Sequence, residues 1–211
     1  MPMFKLLAHS RTLLQKLLPC QLCSSAAQQQ YRVCADCLQQ LPWLKANVCR
    51  QETEIQVACH YRYPVDRIIQ QFKYEQQLHY QSLLAGSLCE SAYPRVQAIV
   101  PMPVAAERLA ERGYHHTLLL AQVLARHLQL PIWQPVVRRH QHSQKGLSRL
   151  ERLENLDQQF QLRPDAGRPY RRVLIVDDVV TTGSSIRALK QQLEQLGCHK
   201  VYAVCIASAD G

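Results

Sequence analysis

Two adjacent carboxylates, Asp177 and Asp178, follow an unbroken apolar run and precede a loop of small hydroxyl residues. The stretch reads RVLIVDDVVTTGSS over residues 172–185. Residues 173–176 are β-branched and aliphatic without a polar break, the pattern of a strand covered on both faces. The acids then stand at its carboxyl end, where ligands bind in open α/β sheets. Thr181, Thr182, Gly183, Ser184 and Ser185 follow and open an amphipathic stretch over residues 186–196. A small-residue loop at a helix start aims backbone N–H groups and the positive end of the helix dipole at one point, which suits a phosphate. Carboxylates suit hydroxyls or a metal ion, so a sugar phosphate satisfies both halves. Paired acids after a strand also serve as helix caps or salt-bridge partners, but that role does not account for the loop.

A second group of reactive side chains lies near the front. Cys20 and Cys23 form one C-x-x-C pair, Cys34 and Cys37 another, with ten residues between them. Each pair can place two thiolates on one cation through a tight turn, and two pairs close a tetrahedral shell of the structural kind. Zinc is the expected ion, and its binding would supply folding energy to a segment too small to form its own core. A reversible disulfide and unligated buried thiols are the alternatives. Cys49 and Cys59 stand alone and read as ordinary core residues.

The elements that must position these groups follow from the rest of the chain. Its 211 residues allow one ordinary domain and a small appendage, and a hydrophobic content of 47% supports a packed core. No run approaches the length of a membrane helix. Residues 1–18 read as a short amphipathic helix, without the apolar core and cleavage site of a signal peptide. The chain is expected to be cytoplasmic, which also turns its nine cysteines toward metal or thiol chemistry. A formal charge of +9 favours anionic partners such as phosphates, nucleotides or nucleic acid.

Residues 43–49 are expected to link the metal module to the main domain. Residues 55–61 read as a strand, Pro64 as a helix start, and residues 65–72 as a helix leading to Lys73 and Tyr74. Residues 78–88 read as a second amphipathic helix and residues 96–100 as a strand closed by Pro101 and Pro103. A long helix is expected over residues 105–128, interrupted near Gly113, with Leu109, Leu118, Leu119, Val123 and Leu124 buried. Residues 131–137 read as extended. Residues 138–152 hold five Lys or Arg and read as a mobile basic loop entering a helix near Ser148. Gly197 closes the last helix, and residues 201–207 form another buried strand, which completes a βαβ unit.

The stretch over residues 172–185 resembles the phosphoribosyl pyrophosphate (PRPP) motif of type I phosphoribosyltransferases. In that family the two acids hold the ribose 2- and 3-hydroxyls, directly or through magnesium, and the loop holds the 5-phosphate. The resemblance assigns the first role to Asp177 and Asp178 and the second to Thr181, Thr182, Gly183, Ser184 and Ser185. Magnesium would accompany PRPP.

The wider set of pieces resembles the ComF family, over nearly the whole chain. It comprises the paired cysteines, Phe72-Lys73-Tyr74, Val100-Pro101-Met102-Pro103, Arg108, Arg112-Gly113-Tyr114, Gln144, Leu147-Ser148, Arg152 and the PRPP-type string. The implied fold is α/β, a type I phosphoribosyltransferase-like parallel sheet flanked by helices. Residues 1–50 would carry the N-terminal helix and zinc-ribbon module, and residues 51–211 the transferase-like domain. Lys73, Arg108, Arg112, Lys145 and Arg152 are candidates for holding pyrophosphate or forming a lid. Where the family commonly has an aromatic residue followed by Asn-Gln, this chain has Tyr114, His115 and His116. Paired histidines bind metal or phosphate, or cap a helix turn.

The resemblance implies a cytoplasmic protein that supports natural competence and DNA uptake, with single-stranded DNA and competence-machinery proteins as partners. Basic residues would track a phosphate backbone, and Tyr31, Trp43 or Tyr114 could stack bases. The alternative is an active pentosyl transferase in nucleotide or cofactor metabolism or salvage, with no DNA role. No residue identifies an acceptor.

Overall fold

A computed structural model describes residues 18–138 and 160–209. The N-terminal helix expected over residues 1–18 therefore lies, but for Leu18, outside the described residues. So do Lys145, Arg152 and the basic segment beyond Arg138.

The central sheet has five strands in the order β1-β2-β7-β6-β3. They are β1 (Trp43–Arg50), β2 (Thr53–His60), β3 (Ala98–Pro101), β6 (Arg172–Val180) and β7 (Lys200–Ser208). The β1–β2 pair is antiparallel, and the other neighbours run parallel. A second small sheet pairs β4 (Val136–Arg138) with β5 (Phe160–Leu162). Alternation along β6 explains how one strand serves two cores. Leu174 and Val176 join one apolar cluster, Val173 and Ile175 the other.

The helices divide between these faces. Helices α2 (Val65–Tyr74), α3 (Gln81–Cys89) and α5 (His116–Leu128) cover the first, and α6 (Ser184–Gln195) covers the second. The carboxyl ends of β3 and β6 thus open between α5 and α6, where a parallel sheet offers its ligand crevice.

Three sequence expectations need correction. Residues 43–49 are not a linker but β1, the edge strand of the main sheet. Lys45, Asn47 and Cys49 are exposed and none of its residues is fully buried, so the apolar signal of a strand is absent. Its hairpin turn at Gln51 and Glu52 has φ of 45° and 60°, the conformation of a tight two-residue hairpin even without glycine. Residues 78–88 are a 3₁₀ turn (Leu78–Tyr80) followed by α3, which is buried nearly all round rather than amphipathic. The helical run over residues 105–128 is interrupted at Gly113 as expected: α4 (Ala106–Arg112) ends there, where φ of 79° breaks the run before α5. Of the positions expected to be buried in this run, Leu124 is buried, Leu118, Leu119 and Val123 are only partly so, and Leu109 on α4 is exposed, as is Cys49 on β1, whereas Cys59 is fully buried.

The cysteine module, with its short helix α1 (Ala35–Gln39), rests on α3. Gly86 allows this: a Cβ there would lie 2.2 Å from the Tyr31 ring. Cys20, Val33, Cys34 and Leu41 share one apolar cluster with α2, α3 and α5. The module is therefore continuous with the domain core.

Candidate functional site

Strand β6 runs on past its acids to Val180, so Asp177 and Asp178 sit inside its carboxyl end rather than after it. Neighbouring strand residues point to opposite sides, and the two acids accordingly differ. Asp178 is buried, with 4% of its surface exposed, while Asp177 is partly open.

Asp178 is held in a buried ion pair. Its Oδ1 accepts from the Val179 amide at 2.7 Å. Its Oδ2 lies 2.6 Å from Lys73 Nζ and 3.1 Å from His116 Nε2. The Arg112 guanidinium donates to His116 Nδ1, so the imidazole proton lies on Nε2, facing the carboxylate. Burial favours a neutral Asp178, but the His116 hydrogen bond and the Lys73 charge outweigh it and hold the carboxyl well below its usual range. Burial likewise works against the Lys73 charge, and Asp178 reverses this to raise its pKa. His116 is lowered, chiefly by burial.

Asp177 is the available acid. Its Oδ1 accepts from the Asp178 amide at 2.9 Å. Burial and then the adjacent Asp178 charge push its pKa up to about 7. Such a carboxyl gains most from an arriving cation or from hydroxyl donors.

A cleft of ≈ 320 Å³ opens beside these acids, lined by Lys73, Arg108, Arg112, Arg138 and His116 together with Asp177 and Asp178. Tyr74 forms part of its rim, with the Arg112 guanidinium 5.3 Å from its ring centre. A smaller pocket of ≈ 50 Å³ lies on the other side, lined by Thr181, Thr182, Gly183, Ser184 and Ser185. Asp177 borders both. Gly183 has φ of 79° and stands at the start of α6. The Ser184 amide meets Thr182 Oγ1 at 3.4 Å, and the first N–H groups of α6 point into the loop with no cap from Gly183 itself.

The structure thus brings together Lys73, Arg108, Arg112, Asp177 and Asp178, with the hydroxyl loop adjoining. The two histidines have separate tasks. His115 Nδ1 accepts from the Leu118 amide at 3.1 Å and caps α5, while His116 reaches into the cleft. Burial and the neighbouring His116 push His115 down to about 4. Sequence reasoning passed over Tyr74 as a cleft residue and over Arg50. Arg50 comes from β1, and its Nε donates to the Thr181 carbonyl at 3.2 Å.

The second candidate centre is metal-like. The Sγ atoms of Cys20, Cys23, Cys34 and Cys37 all lie within 4.8 Å of one another. Cys23 and Cys34 are 3.8 Å apart, which matches the edge of about 3.8 Å that a tetrahedron with Zn–S bonds of about 2.3 Å requires. Backbone amides of Leu22 and Cys34 point at Cys20 Sγ at 3.4 and 3.3 Å, and that of Cys37 at Cys34 Sγ at 3.5 Å. Such donors favour thiolates, so the donor set fits a zinc ion. Cys49 lies outside this cluster and is exposed.

A mostly parallel sheet with helices on both faces, an acid pair near one strand end and a hydroxyl loop opening the next helix define a type I phosphoribosyltransferase-like domain. The family model for the phosphoribosyl transferase domain matches residues 116–210. Beyond that domain, the chain belongs to the ComF family. It is 33% identical over 202 residues to Competence protein F of Haemophilus influenzae, covering 90% of this chain and 84% of that protein. It is 30% identical over 199 residues to the DNA utilization protein YhgH of Escherichia coli K12, covering 89% and 82%. Among solved structures, the orotate phosphoribosyltransferase of Aeropyrum pernix matches with a TM-score of 0.42 and 21% identity, covering 64% of this chain and 63% of that one. No helix among the described residues is long and apolar enough to cross a membrane.

Proposed function

We propose that the cleft binds PRPP, or a closely related sugar phosphate, with magnesium, and that the protein supports the use of incoming DNA. The position of Asp177 carries the first half. It stands between a hydroxyl loop that suits a single phosphate and a cationic cleft that suits a pyrophosphate. PRPP presents its groups in that same order, with ribose hydroxyls between two phosphate ends.

Thr181, Thr182, Gly183, Ser184 and Ser185 take the 5-phosphate, and Asp177 takes ribose hydroxyls. Arg108, Arg112, Arg138 and Lys73 face the pyrophosphate. Asp177 also offers the hard oxygen ligand that magnesium prefers, and magnesium supplies charge neutralisation at the leaving group. Asp178 keeps Lys73 and His116 in place. Transfer of this kind depends on position and charge more than on a strong nucleophile. The second half of the reading rests on the relatives, whose names refer to competence and to DNA utilization. Zinc in the four-thiol centre then holds the front of the chain in shape.

The raised pKa of Asp177 gives a direct test. In the free protein its carboxyl titrates near neutral pH, so folding takes up its proton more tightly than the unfolded chain does. Asp177 therefore costs stability as pH rises from the ordinary carboxylate range to about 7, and the cost is constant above that. Magnesium-PRPP would bind the ionised form. A carbon-13 titration of the carboxyl is expected to show its pKa falling by at least about one unit on binding. A pKa that does not move in saturating ligand would mean that Asp177 does not touch it.

A further inference from the structure

We infer that Arg50, on the edge strand β1, is a positioning residue for the sugar 5-phosphate. This rests on the PRPP reading of the cleft and extends it to a residue outside the segment matched by the phosphoribosyltransferase model.

Three observations converge. First, Arg50 touches the loop at both ends. Its Nε donates to the Thr181 carbonyl at 3.2 Å, where the loop begins. Its Cβ would lie 2.7 Å from a Cβ at Gly183, where the loop ends. Gly183 has a positive φ as well, so both its backbone shape and its clearance depend on having no side chain. Second, the guanidinium is only partly used. Its other protein contact is Nη1 to the Cys49 carbonyl at 3.3 Å, and no carboxylate pairs with it among the described residues. Third, its location is electrostatically unfavourable in the empty site. A fixed cation beside the N-terminus of α6, whose N-cap Gly183 has no side chain to offer, adds positive charge to the positive end of a helix dipole. An anion in the loop turns both into favourable terms.

The hairpin therefore sets the loop from behind. The Nε bond fixes the direction of the Thr181 carbonyl and leaves the loop amides turned toward the phosphate. The remaining charge raises the local potential for that phosphate. Neither effect reaches the pyrophosphate side of the cleft, whose cations come from α2, α4 and β4.

The test is a set of calorimetric titrations of the zinc-replete full chain with magnesium-PRPP, ribose 5-phosphate and magnesium pyrophosphate. Arg50→Met is expected to weaken the first two by about tenfold or more, the size of one lost charge-assisted hydrogen bond. Pyrophosphate affinity should stay within about twofold of the parent, since its site is separate. Arg50→Lys keeps the charge without the Nε bond and should recover part of the loss. Unchanged PRPP affinity in Arg50→Met overturns the inference, and so does an equal loss for all three ligands, which would mean general damage to the fold. Failure of the unaltered chain to bind any of the three overturns the underlying reading of the cleft, and with it the role of Arg50.

Discussion

Stripping the zinc that we propose for the four-cysteine centre is expected to lower the melting temperature by about 8–16 °C. The segment from Leu18 to Pro42 has only one short helix and a few isolated bridges, too little to fold on its own. Cys20 and Cys34 are nevertheless buried, with 1% and 3% of their surface exposed, in the same apolar cluster as α2 and α3. Structural zinc sites bind with apparent energies of about 10–16 kcal/mol, much of it spent on ordering the ligand loops. A net share of about 4 kcal/mol gives the stated shift, at about 2–4 °C per kcal/mol for a chain of this size. The loss should propagate, because the module rests on α3 through Tyr31 and Gly86. Thermal melting before and after chelation, with metal content measured in parallel, decides it. Cys34→Ser should behave like the chelated chain. A metal-free sample with an unchanged melting temperature would show that thiol packing alone orders the module.

Replacing Asp178 by asparagine destabilises the fold by about 3–5 kcal/mol, the usual cost of leaving a buried charge without its partner. The Lys73 side chain is only 19% exposed and Asp178 only 6%, so water substitutes poorly for the lost carboxylate. An amide oxygen placed at the Oδ2 position by Asp178→Asn can still accept hydrogen bonds from Lys73 and His116, so the loss is chiefly that of the negative charge opposite Lys73. Lys73→Met in the same chain should therefore recover at least about half of the loss, and a double-mutant cycle measures the coupling. The pH window follows from the two shifts. Asp178 is held below its ordinary pKa, so its contribution is present above the usual carboxylate range and is lost as pH falls through the lowered value. Lys73 is raised, so its contribution is present below the ordinary lysine range and is lost as pH rises through the raised value. The pair thus persists across neutral pH. Chemical denaturation of the four chains at neutral pH reads the effect, and strict additivity of the two substitutions would contradict a buried pair.

The acid pair and the hydroxyl loop were legible because one short segment holds them. Strand, acids, loop and helix follow one another over residues 172–195, so local pattern was enough to place them at one end of a sheet. The four cysteines were legible for the same reason, as fixed spacings in a short stretch. Contacts across the fold were not. Nothing near Lys73 in sequence says that it meets Asp178, and Arg50 reaches Thr181 across 131 residues. Edge strand β1 read as a linker because Lys45 and Asn47 face solvent on a strand with only one neighbour. Helix α3 read as amphipathic because the module that covers its outer side is itself too short to announce a core. His115 and His116 share a residue type but not a task, and only the helix start between them separates a cap from a cleft ligand.

The proposed sugar-phosphate site turns on Asp177. The most direct measurement is calorimetric titration of the zinc-replete chain with magnesium-PRPP, set against Asp177→Asn. That variant leaves Asp178, Lys73 and His116 in place, so a loss cannot be ascribed to the buried pair. The account predicts saturable binding by the unaltered chain and a loss of about 100-fold or more in the variant, comparable to removing one well-placed charged hydrogen-bond partner or two. No binding by the unaltered chain, or equal binding by both, would contradict it.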